Sequence, residues 1–172
     1  MISPPGARLG SGRVPRRGRT IPGVTVDVRT TVEIDRPREV VAAFAGDPDN
    51  ATRWYENIDN VEWETLRPVA VGTRLAFVAR FLGRRLVYTY EVRELVPGER
   101  LVMSTADGPF PMETTYTWED TPSGGTRMTL RNRGEPSGFT SVAAPLMTAA
   151  IGRANRKDLA ALRRILERAP GA

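Results

Sequence analysis

The residues able to do chemistry in this chain are limited to a few types, because the sequence contains neither histidine nor cysteine. That absence excludes disulfides, thiol nucleophiles, metal sites built from cysteine or histidine, and acid–base catalysis by imidazole. Carboxylates, tyrosines, arginines, hydroxyl side chains and the single lysine, Lys157, remain. Glycine-rich phosphate loops and a G-x-S-x-G nucleophile motif are also missing from the sequence. We therefore expect no metal, no nucleotide and no other cofactor.

A group of uncharged polar residues falls on the apolar side of predicted strands. Its members are Tyr88, Tyr90, Thr114, Tyr116 and Asn132. The charged residues of the same strands occupy the alternate positions, so we expect no charged side chain on the face that carries this group. Acid–base catalysis favours a charged group with a shifted pKa, whereas uncharged hydroxyl and amide groups are suited to orienting a ligand. The pattern favours binding over turnover and leaves open whether the protein is an enzyme.

Alternating apolar and polar residues predict the strands that position these side chains. The first runs from residue 24 to 34, with valine, threonine or isoleucine at every second position. Six more strand-like runs follow, each closed by glycine, proline or serine. They cover residues 61–66, 73–81, 85–95, 100–105, 113–119 and 126–133. Short turns between successive runs predict an antiparallel meander.

Three helices complete the predicted order. Asp35-Arg36-Pro37 predicts a short helix capped by Asp35, and Asp47-Pro48 predicts a second one, capped by Asp47 and carrying Trp54. A long helix is predicted over residues 137–168, apolar on nearly every side up to residue 154 and amphipathic afterwards. Such a helix needs cover on all sides and is too short and too rich in alanine to span a membrane. A curved sheet wrapped around it would supply that cover.

This order and several segments resemble a known superfamily. The segments are the two helices after residue 35, the hairpin sequence Glu94-Leu95-Val96-Pro97-Gly98-Glu99-Arg100-Leu101, the strand Gly125-Thr126-Arg127-Met128-Thr129-Leu130, and the ending 155–166. The superfamily is the helix-grip group of START domains, Bet v 1-type plant allergens and bacterial polyketide cyclase/dehydrase-like proteins, also called SRPBCC. The resemblance implies an α+β fold in which a curved, seven-stranded antiparallel sheet grips a long C-terminal helix. It also implies a cavity between sheet and helix that holds an apolar small molecule.

The predicted ligand contacts combine inward-facing strand residues with residues of the long helix. They are Phe77, Phe81, Tyr88, Tyr90, Met103, Thr114, Tyr116, Trp118, Asn132, Phe139, Leu146, Met147 and Ala150. Apolar walls with sparse polar anchors are typical of small-molecule pockets. For any single one of these residues, core filling is favoured over ligand contact, and it is the set as a whole that indicates a pocket. We expect Trp54, Phe81 and the 108–111 loop near an entrance.

Charge and composition set the domain boundaries. Five of the 25 basic residues, but no acidic one, lie within residues 1–23, so 20 basic and 20 acidic residues balance in the remainder. We expect a disordered basic tail over 1–23 and a single ligand-binding domain over 24–169. The balanced domain predicts no nucleic-acid partner. The sequence shows no membrane span and no secretory signal, which predicts a cytoplasmic protein, either a monomer or a weak homodimer.

Three functions remain open at the level of sequence. The first is a carrier or sensor for an apolar or aromatic molecule such as a lipid, a quinone or a polyketide. The second, implied by the resemblance, is a polyketide cyclase or aromatase that uses Tyr88, Tyr90, Tyr116 and Asn132 as hydrogen-bond donors, without a metal or nucleotide. The third is a protein-interaction module, such as a chaperone activator, with an arginine-rich outer sheet face as its contact surface.

Overall fold

The computed structural model describes residues 26–81, 84–107, 111–134 and 143–168. The predicted tail over 1–23, the first residues of the predicted long helix (137–142), most of the 108–111 loop and the chain end after residue 168 lie outside this description. All seven predicted strands and all three predicted helices have a counterpart within it.

Seven strands and three α-helices follow the predicted order. The strands are β1 (Val26–Ile34), β2 (Ile58–Trp63), β3 (Arg74–Phe81), β4 (Arg84–Val96), β5 (Arg100–Asp107), β6 (Met112–Asp120) and β7 (Thr126–Gly134). The helices are α1 (Arg38–Ala45), α2 (Ala51–Trp54), which continues a 3-10 turn at Pro48–Asn50, and α3 (Ala143–Arg168). Among the described residues, no helix is both long and apolar enough to cross a membrane.

The strands form one antiparallel sheet in the order β1-β7-β6-β5-β4-β3-β2. Strands β2 to β7 are a meander, and β1 closes onto β7 with Val28 opposite Asn132 and Ile34 opposite Thr126. On the outer side of this pair, Asp27 accepts hydrogen bonds from Arg131 at 2.5 and 2.8 Å. The sheet curls around α3 as a half-barrel, and the predicted helix-grip fold is confirmed.

Two local predictions differ from the structure. The strand predicted at 61–66 is β2, which begins and ends three residues earlier. Asp35 does not cap α1, because Pro37 occupies the N-cap position and Asp35 instead donates its backbone N–H to Glu167 at 3.1 Å. The cap predicted at Asp47 is confirmed, since its carboxylate accepts the backbone N–H of Asp49 at 3.0 Å.

The core lies between the concave face of the sheet and the second half of α3. Leu159, Leu162 and Leu166 repeat at helical spacing, are at most 4% exposed, and pack in one apolar cluster with Leu75 of the sheet. The end of α3 is held by Arg36, whose side chain donates to the carbonyl of Leu166 at 2.9 Å. This bond satisfies a carbonyl that the helix itself leaves unpaired.

The first half of α3 is not covered on all sides as we predicted. Leu146 is 75% exposed, and Ala149 and Ala150 are also exposed. A single curved sheet can contact only the side of the helix that faces it, and among the described residues no second layer covers the far side. An exposed alanine costs little free energy, so alanine-rich sequence does not demand cover as strongly as the prediction assumed.

Candidate ligand-binding site

Strand pairing brings the predicted polar residues into one row across the concave face. Phe77 lies opposite Tyr88 on β3 and β4, and Thr114 lies opposite Asn132 on β6 and β7. Tyr90 is paired with Thr105 on β5. Alternation within each strand places these side chains on one face. The pairing of β3 to β7 then places them side by side across the sheet.

A chain of neutral hydrogen bonds connects this row to α3. Asn155 of α3 donates its amide N–H to the amide oxygen of Asn132 at 2.9 Å. Asn132 in turn donates to the Thr114 hydroxyl at 3.1 Å. Thr114 and Asn155 are buried, at 5% and 6% exposed. These are the groups that a buried polar atom of a ligand would meet beneath the helix.

Tyr90 continues the polar row on β4. Its ring meets that of Phe77 edge-on with centroids 5.6 Å apart. Burial raises the pKa of its hydroxyl to about 12, although a hydrogen bond with Thr114 acts in the opposite direction. The hydroxyl is therefore protonated at neutral pH and is a hydrogen-bond donor rather than a base.

A second pair of hydroxyls lies deeper, where α2 ends. The oxygens of Tyr55 and Tyr116 are 2.6 Å apart, and the rings of Trp54 and Tyr55 are stacked at 3.9 Å between centroids. Burial raises the pKa of both tyrosines well above the ordinary value. One hydroxyl donates to the other, so the pair joins the residue after α2 to the sheet without a charge.

One acid is buried beside this pair, on α3 and not on the sheet face that the sequence predicted to be free of charge. Asp158 of α3 is 4% exposed and accepts the backbone N–H of Glu56 at 3.0 Å. Burial raises the pKa of its carboxyl to about 6. The negative charge of Glu56 adds to this rise, whereas the hydrogen bond from the Glu56 backbone N–H and the positive charge of Lys157 oppose it. Burial therefore makes the Asp158 carboxyl harder to ionise in the folded protein than in water.

The structure places most of the predicted contact residues on the concave side. Phe77, Met103, Thr114, Tyr116 and Trp118 are at most 8% exposed. Tyr88, Tyr90, Asn132 and Met147 are half-buried. Phe81 ends β3 but its side chain is outside the description, and Phe139 lies outside the described residues. Their contact with a ligand stays a prediction.

Three residues, Leu146, Ala150 and Trp54, lie elsewhere than predicted. Leu146 and Ala150 are on the exposed side of α3, which faces away from the sheet. Trp118 faces inward but packs near α1, because a Cβ added to Gly46 would lie 3.5 Å from its ring. Trp54 is 2% exposed and belongs to the core, not to an entrance.

Three polar residues of the interior were missed: Tyr55, Asn155 and Asp158. Asn155 and Asp158 share the buried stripe of α3, since they precede Leu162 by seven and four positions. Polar residues within an apolar helical stripe are the signal that could have found them. Tyr55 carries no such signal, because its hydroxyl meets Tyr116 only through the tertiary fold.

The described residues contain no group of three or more carboxylates that could hold a metal ion. Their concave face offers apolar walls, neutral amides and protonated hydroxyls. Such a surface can bury an apolar body and hydrogen-bond one or two polar atoms on it.

Comparisons with known proteins agree with this arrangement. A family model described as polyketide cyclase/dehydrase and lipid transport matches residues 25–167. Similar solved structures include a START superfamily protein from Mycobacterium smegmatis, with 15% identity, a TM-score of 0.72, and coverage of 84% of this chain and 99% of that one. The Zhui aromatase/cyclase from Streptomyces sp. R1128 has 15% identity, a TM-score of 0.71, and coverage of 84% and 95%.

A plant protein, the major latex-like protein 151 from Panax ginseng, has 13% identity, a TM-score of 0.63, and coverage of 84% of this chain and 97% of that one. At these identities the likeness concerns the fold alone. No curated protein matches the sequence.

Proposed function

This chain belongs to the polyketide cyclase/dehydrase and lipid transport family, and on that premise we propose that it binds an apolar or aromatic small molecule between its sheet and α3. The ligand is lipid-, quinone- or polyketide-like, and the protein acts as its carrier or sensor. Burial of the ligand against aliphatic and aromatic walls supplies the affinity, at about 25 cal/mol per Å² of apolar surface removed from water.

The observation that carries this proposal is the neutral chain Asn155–Asn132–Thr114 on an otherwise apolar face. Buried amides are costly unless they are hydrogen-bonded, so an interior that only filled space would be better served by aliphatic side chains. Half-buried Asn132 keeps hydrogen-bonding capacity beyond its two bonds, which suits a carbonyl or hydroxyl on a ligand.

The Tyr90 hydroxyl indicates which kind of polar atom the ligand would carry. The Tyr90 hydroxyl is protonated at neutral pH, as an ordinary tyrosine is, and burial raises its pKa further, so it can donate to an acceptor such as a ketone or quinone oxygen. A carboxylate ligand would have no buried cation to pair with on the described concave face, and it would lie near the buried Asp158.

Native mass spectrometry of the purified protein tests the proposal first, followed by organic extraction of any bound mass. Titration with a panel of lipids, quinones and aromatic ketones then gives affinities. Asn155→Leu should lower the affinity for a ketone ligand about tenfold, because the hydrogen-bond chain loses the donor that α3 supplies. The same change at exposed Asn60 is the matched control and should leave affinity unchanged. Absence of saturable binding across the panel would refute the proposal.

A second candidate is a cyclase or aromatase that uses the same surface. The observation favouring it is the row of protonated tyrosine hydroxyls on the concave face, which can polarise the carbonyls of a poly-ketone. Under this hypothesis Tyr88→Phe or Asn132→Ala abolishes turnover while binding survives. Equal losses of binding and turnover would favour the carrier instead.

The interaction-module hypothesis has less support. Outer-face arginines are paired with acids, as in Arg127 with Glu33 at 2.8 Å and Arg93 with Glu91 at 2.7 Å. A face neutralised in this way offers little net charge to a partner. A pull-down that yields a stoichiometric protein partner would restore this candidate.

A further inference from the structure

A pocket lies toward the opposite end of the half-barrel from Asn132. It has a volume of about 420 Å³, and its walls come from α1, the segment between β2 and β3, the β4–β5 hairpin and β6. No described residue of α3 lines it. It is therefore distinct from the site beneath α3.

The floor of this pocket reaches the core. Leu101 and Trp118 are 2% and 3% exposed, and both line it. On α1 the lining residues are small, Ala42, Ala43 and Gly46, so the helix presents a flat surface. Small side chains opposite an indole leave room for a thin, flat group.

The outer wall is held in place by a cluster of three side chains. Trp63 donates its indole N–H to Asp49 at 2.8 Å, and the Arg67 guanidinium lies 4.4 Å from the centroid of the Trp63 ring. Arg67 also forms an ion pair with Asp49. Since Trp63 is fixed before any ligand arrives, little side-chain freedom is lost on binding.

The charged residues at the rim already take part in a hydrogen bond or an ion pair. Asp47 and Arg67 are the two charged residues that line the pocket. Asp47 accepts the backbone N–H of Asp49, and Arg67 is paired with the Asp49 carboxylate. An anionic ligand would therefore find no free cation among the described lining residues.

We propose that this pocket is a second ligand site, specific for a neutral planar aromatic molecule of one or two fused rings. Two indoles line the cavity, and aromatic rings attract one another in offset or edge-on geometry beyond the effect of area alone. The volume lies within the range of small-molecule sites, and its aliphatic walls suit an uncharged ring.

The test is a ¹⁵N NMR titration with 2-naphthol, which is uncharged at neutral pH. The protein has three tryptophans, so three indole N–H signals are expected, assigned through single Trp→Phe variants. The Trp63 and Trp118 signals should shift saturably, with a Kd below about 1 mM. Side-chain amide signals of Asn132 and Asn155 report binding beneath α3 separately, so failure of one site leaves the other testable.

The blocking variant is Ala43→Leu, since Ala43 is exposed on α1 and lines the pocket. It should weaken the indole response at least about tenfold by filling the cavity. Val40→Leu is the matched control, because Val40 is an exposed residue of α1 outside the lining and should leave the titration unchanged. Indole signals that do not move at millimolar probe, or that move equally in Ala43→Leu, would overturn the proposal. Shifts confined to Asn132 and Asn155 would overturn it as well.

Discussion

Replacing Asp158 by asparagine should stabilise the protein at neutral pH and have a much smaller effect in acid. The folded chain holds this carboxyl with a pKa of about 6 instead of the ordinary 3.8, mainly because of burial. The folded state thus binds a proton that the unfolded state has released between these two values. Stability contributed by protonated Asp158 is present below about pH 4 and is lost as the pH rises through 6.

The magnitude follows from the same two values. Each pKa unit is worth about 1.4 kcal/mol, which places the full loss of unfolding free energy at about 3 kcal/mol. Between pH 4.5 and 7.5 the protein should lose about 2 kcal/mol of it, because pH 4.5 still lies above the unfolded-state pKa of 3.8 and the rest is present only at lower pH. Asparagine carries no charge at either pH and keeps an oxygen that can accept the Glu56 N–H.

Urea unfolding of both proteins at pH 4.5 and 7.5 measures the effect. The difference in unfolding free energy, variant minus wild type, should rise by about 2 kcal/mol at the higher pH, with the m-value unchanged. Glu62→Gln, at an exposed position on β2, removes a carboxylate that stays in water and should show no comparable change. A stability difference that is the same at both pH values for Asp158→Asn would refute the reasoning that burial raises this pKa.

Three further predictions concern a buried hydrogen bond and the space around two glycines. Tyr116→Phe should lower the free energy of unfolding by about 1–3 kcal/mol, because it leaves the buried Tyr55 hydroxyl without its partner. In a double-mutant cycle, changing both Tyr55 and Tyr116 to phenylalanine should cost less than the sum of the two single changes. Gly152→Ala should raise the unfolding free energy by about 0.5–1 kcal/mol, since the new methyl meets only ordinary contacts at 3.6 Å inside α3. Gly125→Ala should lower it by about 1–3 kcal/mol, since that methyl would lie 2.7 Å from the Ile34 carbonyl oxygen. Thermal melts that rank the two glycine variants in the opposite order would contradict this reading of the local space.

Much of the fold was predictable because its signals are local. Alternation in β1 and in β5 to β7 identifies their inward faces from neighbouring residues alone, and Leu101, Met128 and Leu130 are buried as that alternation requires. Short turns then leave few ways to order the strands. The absence of histidine and cysteine is a property of composition, so it removes whole classes of chemistry whatever fold the chain adopts.

Only the tertiary structure decided which of the candidate residues meet. Periodicity shows that a helix has an apolar stripe, but it does not show which side the sheet will contact. Leu146 was therefore predicted inside and is exposed, whereas Asp158 was missed and is buried. The contact between Asn155 and Asn132 joins residues 23 positions apart, and that between Tyr55 and Tyr116 joins residues 61 apart. Such pairs depend on how α2 and α3 seat on the curved sheet, a long-range result of packing that no local pattern encodes.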